Sequence, residues 1–253
     1  MIYLIFTIVG LLVGGIINLL ADDLPARRWP SLPHCYSDKC NYRYGPAGWL
    51  AIGRYLFYGG QCPACGVPER RRPIITELGT ALTWGALPLF LPVTDLPRFL
   101  VIGFYLSILI LVIVIDVEHR LILHIVTFPT TLIAILGLSW FLPDNNIPLS
   151  ALGALIGFVI FFIFFWIGER FFGAGALGFG DVTLSMTMGA MLGFRFIFAT
   201  LIIGILLGGV LSGLLLLFRV VNRNSYIPYG PFLAIAGMVM LVWGQPILDW
   251  YFS

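Results

Sequence analysis

Long apolar runs follow one another along almost the whole chain, separated by shorter polar stretches. A bilayer core about 30 Å thick needs a helix of about 20 mostly apolar residues to cross it. Runs near that length predict about eight transmembrane helices, at approximately 2–21, 74–92, 97–115, 122–142, 149–167, 180–194, 195–218 and 229–250. The sixth run is short and rich in Gly, Ser and Thr, as expected for a helix packed inside a bundle. The pattern therefore predicts an all-α, polytopic membrane protein.

Composition supports the same class. Hydrophobic residues make up 60% of the 253 positions and charged residues only 10%, with a mean hydropathy of +1.00. A soluble domain carries roughly 25% charged residues. The first apolar run has no basic segment before it and is followed by Asp22 and Asp23. We therefore expect a retained helix there rather than a cleaved signal peptide.

Basic residues are distributed unevenly between the two predicted sides of the membrane. Only Arg98 and Arg195 fall on one side. The other twelve of the fourteen Lys and Arg residues fall on the opposite side: Arg27, Arg28, Lys39, Arg43, Arg54, Arg70, Arg71, Arg72, Arg120, Arg170, Arg219 and Arg223. Because cytoplasmic loops carry an excess of Lys and Arg, we expect the long loop 22–73 in the cytoplasm and both termini outside.

All four cysteines lie in that loop. Cys35 and Cys40 are separated by four residues, and Cys62 and Cys65 by two. Two such pairs can supply four thiolates to a tetrahedral structural Zn²⁺, which predicts a zinc-knuckle-like module. A reducing cytoplasm disfavours disulfides. Four unligated thiols are the alternative, as is replacement of one cysteine ligand by His34.

Two aspartates, Asp116 and Asp181, lie where long apolar runs meet the same predicted face. A carboxylate at the end of a membrane helix is costly, so each is a candidate functional residue. Two carboxylates held close together share one proton and can serve as base and acid, which is the chemistry of an aspartyl protease. Asp181 ends the run GFGD at 178–181, whose glycines would let an extended substrate backbone approach. A solvated helix end for Asp116 and an N-cap for Asp181 are the alternatives.

Six segments in order along the chain carry a family resemblance. They are GGIINLL at 14–20 with LP at 24–25, CPACG at 62–66, RPIITEL at 72–78, IDVEHRLIL at 115–123, GFGDV at 178–182 and IPYGPF at 227–232. Together they resemble the prepilin peptidases, membrane aspartyl proteases of the GxGD type that process type IV pilins and the pseudopilins of type II secretion. The chain departs from the family pattern at 121–124, which reads LILH where the family usually has Leu-Pro-Asp. Its first cysteine pair also has four intervening residues instead of two.

The resemblance implies a function, a location and a set of partners. Asp116 and Asp181 would be catalytic, and Cys35, Cys40, Cys62 and Cys65 would bind the metal. The substrates would be prepilins or pseudopilins whose short basic leader is removed at the cytoplasmic face of the inner membrane. N-methylation of the new terminus with S-adenosylmethionine would follow, although the sequence has no glycine-rich nucleotide-binding motif. The lipid membrane is an expected partner, and no nucleic acid is expected.

The predicted organisation has three parts: a first transmembrane helix at 1–21, the cysteine-rich loop at 22–73 and a membrane-embedded protease core at 74–253. Two other classes of function compete with the protease. A proton-coupled transporter would use the two aspartates as protonation sites near the bilayer midplane. A non-catalytic assembly subunit of a secretion machine would leave the GFGD segment unexplained.

Overall fold

The computed structural model describes residues 1–35, 40, 42–143, 145–172, 177–218 and 228–252. The helices are α1 (Ile2–Asp23), α2 (Ala51–Tyr58), α3 (Arg71–Ala86), α4 (Leu96–His119), α5 (His124–Ile133), α6 (Ile147–Phe172), α7 (Phe179–Leu217) and α8 (Gly230–Phe252). The described residues form no strand beyond two isolated β-bridges, so the predicted all-α class is confirmed. Lys39, Arg219 and Arg223, which the topology prediction used, lie outside the described residues.

Six helices of the described chain are long and apolar enough to cross a membrane, against eight predicted spans. The predicted span at 74–92 is one source of the difference, because α3 has only 16 residues and is followed by a 3₁₀ turn at Leu87–Leu89. The other source is α7, a single 39-residue element that covers the sixth and seventh predicted spans. The protein is thus a multi-pass membrane protein.

A break at Gly193 divides α7 close to the predicted boundary at 194/195. Thirty-nine residues would measure about 58 Å as one straight helix, roughly twice the bilayer core. Gly193 has φ 72° and ψ 177°, which no helix contains. The Asn145 side chain occupies the space where a Cβ on Gly193 would lie, with Oδ1 2.6 Å from that position. Asn145 Nδ2 also donates to the carbonyls of Ala190 (3.3 Å) and Met191 (3.4 Å), which the break deprives of helical partners.

The chain folds into two compact units, Met1–Val93 and Thr94–Ser253. In the first unit α1 packs against α3 through glycines. A Cβ on Gly10 would lie 2.7 Å from the backbone of Ala81, and one on Gly14 would lie 2.7 Å from the backbone of Glu77. The predicted functional parts 1–21, 22–73 and 74–253 stay a prediction, since packing does not define activity.

In the second unit α6 runs antiparallel to the first half of α7. Gly153 lies against Gly189, and Gly157 against Ser185, with no room for a Cβ at any of the three glycines. Ser185 Oγ donates to the Gly157 carbonyl at 2.7 Å. The burial of almost every residue from 181 to 193 confirms that this Gly-, Ser- and Thr-rich stretch is an interior helix.

Candidate active site

Asp116 lies in the last turn of α4 and is 4% exposed. The helix ends four residues later because Arg120 adopts a left-handed conformation, with φ 53°. The Arg120 N–H donates to the Asp116 carbonyl at 2.8 Å and closes this final turn. The chain reverses there and enters α5 at His124. The helix end therefore places the Asp116 side chain inside the protein, just before the chain turns.

Asp181 lies in the first turn of α7 and is 3% exposed. Its backbone N–H donates to the Gly178 carbonyl at 3.0 Å, and the Gly178 N–H is directed at its carboxylate. Thr183 Oγ1 donates to the Gly180 carbonyl at 2.9 Å and lies 3.3 Å from Nδ1 of His124. These contacts fix the helix start that carries the carboxylate.

The structure brings the two aspartates together at one end of the second unit. Their carboxylates lie close enough to interact electrostatically. The start of α8 closes the site, because a Cβ on Gly230 would lie 2.6 Å from Asp116 Oδ2. Asp116 Oδ2 is buried and has no hydrogen-bond partner among the described residues. A buried carboxylate pair with an unpaired oxygen can accept a proton from water and donate one to a substrate.

Ile122 is the side chain around which the site is packed. It is 7% exposed. A Cβ on Gly180 would lie 2.8 Å from Ile122 Cβ, and a Cβ on Gly230 would lie 3.0 Å from Ile122 Cδ1. Gly180 therefore has no room for a side chain, because Ile122 occupies that space; the expectation that the glycines of this segment let a substrate backbone approach stays a prediction.

The four cysteines of the loop form one cluster in the first unit. All four sulfur atoms lie within 4.8 Å of one another. The Cys35–Cys65 sulfurs are 3.5 Å apart and the Cys40–Cys62 sulfurs 3.8 Å apart. Four sulfurs at about 2.3 Å from a tetrahedral Zn²⁺ are about 3.8 Å from one another. The cluster therefore has dimensions that can hold a metal ion, and His34, the alternative ligand, is not part of it.

Two short hairpin-like segments present these cysteines. In the first, the N–H of Cys35 donates to the Tyr42 carbonyl at 2.9 Å. In the second, the N–H of Cys62 donates to the Val67 carbonyl at 2.9 Å, and Gly66 adopts φ 70° to make the turn. Burial raises the pKa of the Cys62 thiol, but hydrogen bonds from the backbone of Ala64 and Cys65 and from neighbouring thiols outweigh it and lower the pKa to about 6. A thiolate is the form that binds metal.

A buried ion pair supports the module. Arg54 pairs with Glu69, and both side chains are 3% exposed. The Arg54 guanidinium also lies 4.7 Å from the centre of the Tyr44 ring and donates through Nε to the Gly48 carbonyl at 2.9 Å. Arg54 is therefore a structural residue of the loop, although the topology prediction counted it only as a cytoplasmic charge.

Glu77 connects the module to the helices of the first unit, a role that the sequence did not reveal. Its carboxylate is fully buried and accepts from the backbone N–H groups of Ala51 (2.7 Å) and Ile52 (3.0 Å). It thereby caps the start of α2, a helix 26 residues away along the chain. Asn18 of α1 donates to the same carboxylate at 3.3 Å and to the Pro73 carbonyl at 2.9 Å. Asn18 thereby links α1 to α3.

Comparison with known proteins identifies a peptidase family and several enzymes. Residues 103–213, which include both aspartates, match the type IV leader peptidase family. The chain is 27% identical to a prepilin leader peptidase/N-methyltransferase of Pseudomonas aeruginosa, over 96% of this chain and 91% of the relative. An enzyme of the same name from Aeromonas salmonicida is 26% identical over the same shares, and one from Xanthomonas campestris is 32% identical over 54% of this chain and 47% of the relative. No solved structure matches the chain significantly.

Proposed function

We propose that this chain, whose residues 103–213 match the type IV leader peptidase family, is a membrane aspartic endopeptidase that removes the basic leader from prepilins or pseudopilins. The observation that carries the proposal is the buried pair of Asp116 and Asp181, supplied by the ends of two different helices. Cleavage would take place at the cytoplasmic boundary of the inner membrane, because Arg120 and Arg170 lie at the same ends of α4 and α6 as the two aspartates, and cytoplasmic loops are rich in Arg and Lys.

The mechanism uses one proton shared between the two carboxyl groups. Like charges at short distance disfavour double ionisation, so one carboxyl is ionised and the other protonated. The ionised group takes a proton from a water molecule, whose oxygen attacks the scissile carbonyl carbon. The protonated group gives its proton to the carbonyl oxygen. Collapse of the resulting intermediate breaks the C–N bond, and the leaving amine takes the proton that came from the water.

The unpaired oxygen of Asp116 supports this scheme. A buried polar atom without a partner costs about 1–3 kcal/mol, and Asp116 Oδ2 makes no hydrogen bond within the described residues, although the Gly230 N–H is directed at this carboxylate. An attacking water molecule would supply one. Asp116 and Asp181 are carried by the ends of α4 and α7, and Ile122 packs beside them against Gly180 and Gly230.

We propose that Cys35, Cys40, Cys62 and Cys65 hold a structural Zn²⁺. The sulfur separations fit a tetrahedral ion, and four cysteine ligands leave no open position for water. The metal would therefore stabilise the fold of the loop. Neither the metal nor the described residues of the loop would take part in peptide cleavage.

A second activity, N-methylation of the new terminus, is proposed on the names of the relatives, which are prepilin leader peptidase/N-methyltransferases. S-adenosylmethionine is the methyl donor that this activity requires. The competing transporter is not supported, because the matching family and the relatives above are peptidases. The two carboxylates also lie at helix ends rather than in the middle of a span.

Purified protein in detergent, incubated with a full-length prepilin, tests the proposal. The expected result is a shorter pilin whose mass corresponds to loss of the leader, followed by a methyl increment when S-adenosylmethionine is added. An intact prepilin after long incubation, with protein shown to be folded, would contradict the peptidase. Cleavage without methylation would contradict only the second activity.

A further inference from the structure

Tyr229 immediately precedes the glycine that contacts Asp116. Its hydroxyl is buried and has no hydrogen-bond partner among the described residues. Its ring fills the space beside Gly208, where a Cβ would lie 2.5 Å from Tyr229 Cε2. The ring also packs on Phe161 of α6, with 6.1 Å between the ring centres. The side chain is thus held inside the second unit, with its polar end unused.

The packing of α6 on α7 places this hydroxyl at the level of the dyad. Gly153 lies against Gly189, and Gly157 against Ser185. Continuing this antiparallel pairing by one helical turn puts Phe161 opposite Asp181. Tyr229 packs on that phenylalanine, and its hydroxyl is close enough to Asp181 to interact with it electrostatically. Gly230, the next residue, contacts Asp116, so residues 229–230 reach both carboxylates.

Two buried polar atoms of opposite character, Asp116 Oδ2 and the Tyr229 hydroxyl, thus lie near the dyad. Asp116 Oδ2 accepts hydrogen bonds, and the Tyr229 hydroxyl can donate one. They do not bond each other; the Gly230 N–H is directed at the Asp116 carboxylate, and no described residue bonds the Tyr229 hydroxyl. Each unpaired buried group in a native protein calls for an explanation, and a ligand that supplies the missing partner is one. A water molecule donating to Asp116 and a peptide carbonyl accepting from Tyr229 would satisfy both atoms together.

We propose that Tyr229 is a further catalytic residue, whose hydroxyl donates a hydrogen bond to the carbonyl oxygen of the scissile peptide. The proposal rests on the proposed peptidase function. When the water oxygen bonds to the carbonyl carbon, the carbonyl electron pair moves onto that oxygen. The oxygen takes the proton of the protonated aspartate and keeps the hydrogen bond from Tyr229. The phenol itself retains its proton throughout.

Tyr229→Phe tests this role with the smallest change in shape. Loss of one donor to a developing oxyanion lowers kcat by about 10²-fold or more, and we expect that loss with KM unchanged. Tyr105→Phe is the matched control, because the Tyr105 hydroxyl is also buried without a described partner. It lies on α4 about 16 Å from Asp116 at 1.5 Å per residue, and we expect it to leave kcat unchanged.

The outcomes separate this inference from the proposed function. If the wild type cleaves prepilin and Tyr229→Phe cleaves at the same rate, the role of Tyr229 is refuted and the peptidase stands. A rise in KM with kcat unchanged also refutes it, since a hydrogen bond made only in the transition state acts on kcat. If the wild type itself does not cleave, the peptidase fails and the inference with it.

A second substitution covers the case in which Tyr229→Phe does not fold. Replacing Tyr229 with 3,5-difluorotyrosine keeps the hydroxyl and lowers its pKa. Burial and the nearby Asp181 raise the pKa of the Tyr229 phenol, so the substituted phenol should ionise above its pKa in water. We expect the wild-type pH profile below that higher pKa and a loss of kcat above it, because a phenolate cannot donate, and the profile is followed to that pH. A pH profile identical to that of the wild type would overturn the proposal.

Discussion

Gly230→Ala should inactivate the enzyme without unfolding it. A Cβ on Gly230 would lie 2.6 Å from Asp116 Oδ2, which is 0.8 Å less than the 3.4 Å at which ordinary contact begins. Either the carboxylate or the start of α8 must move by most of that distance. A misplacement of about 1 Å can cost about 10²-fold in rate, and we expect kcat to fall by about that factor.

Helix propensity gives no reason for Gly230→Ala to lower the free energy of unfolding. Gly230 is the first residue of α8, and alanine is favoured over glycine in a helix by about 1 kcal/mol. Gly237→Ala is the matched control in the same helix. Its Cβ would meet only the ends of the Met188 and Leu109 side chains, at 3.1 and 3.2 Å, which can give way. We expect Gly237→Ala to cleave prepilin at nearly the wild-type rate.

A double variant separates the two contacts of the new methyl group. The same Cβ would lie 3.0 Å from Ile122 Cδ1, and Ile122→Val removes that atom. If displacement of Asp116 causes the loss, Gly230→Ala with Ile122→Val stays inactive while Ile122→Val alone is active. Initial rates of leader removal and thermal unfolding should be measured on all four proteins. Wild-type activity in Gly230→Ala, or its recovery in the double variant, would refute the reasoning.

Two further predictions concern the first unit. The purified protein should hold about one Zn²⁺ per chain by elemental analysis, and Cys62→Ser should lose it; a preparation never exposed to chelator that contains no zinc, or zinc that survives Cys62→Ser, would contradict the ligand set. Glu77→Ala should lower the free energy of unfolding of the first unit by about 2 kcal/mol or more, because the buried N–H of Ala51 and the part-buried N–H of Ile52 lose their acceptor at the start of α2. Glu77→Gln should lose less, since its amide oxygen can still accept; equal melting temperatures for Glu77→Ala and the wild type would contradict the capping role.

The helices could be predicted from the sequence because apolar length is a local property. The predicted span 97–115 corresponds to α4, Leu96–His119, and the predicted boundary at 194/195 lies beside the break at Gly193. The span at 74–92 was less accurate. Its first half carries Glu77 and two threonines, and its helix ends at Ala86. This helix packs on α1 at Ala81 and Glu77, so part of the apolar run contacts protein. An apolar run of spanning length can therefore arise from packing as well as from contact with lipid.

The close approach of Asp116 and Asp181 could also be anticipated, since both lie at helix ends on one predicted face. The contacts that define the site could not. Ile122, Tyr229 and Gly230 reach the aspartates through tertiary packing, and the Gly180 side of the site is occupied by a residue 58 positions earlier in the chain. Likewise, Glu77 caps a helix that precedes it. A cap at a distance leaves no local pattern, whereas the paired spacing of Cys62 and Cys65 does.

Catalysis by Asp116 and Asp181 is the central claim. Measuring leader removal by the Asp116→Asn and Asp181→Asn variants tests it most directly. Asn keeps the shape of each side chain and removes its titrating group, so both variants should insert, accumulate and melt like the wild type. We expect neither to release the leader in a single-turnover assay with enzyme in excess over prepilin. Leader release at the wild-type rate by either variant would contradict the assignment of the pair as the catalytic dyad.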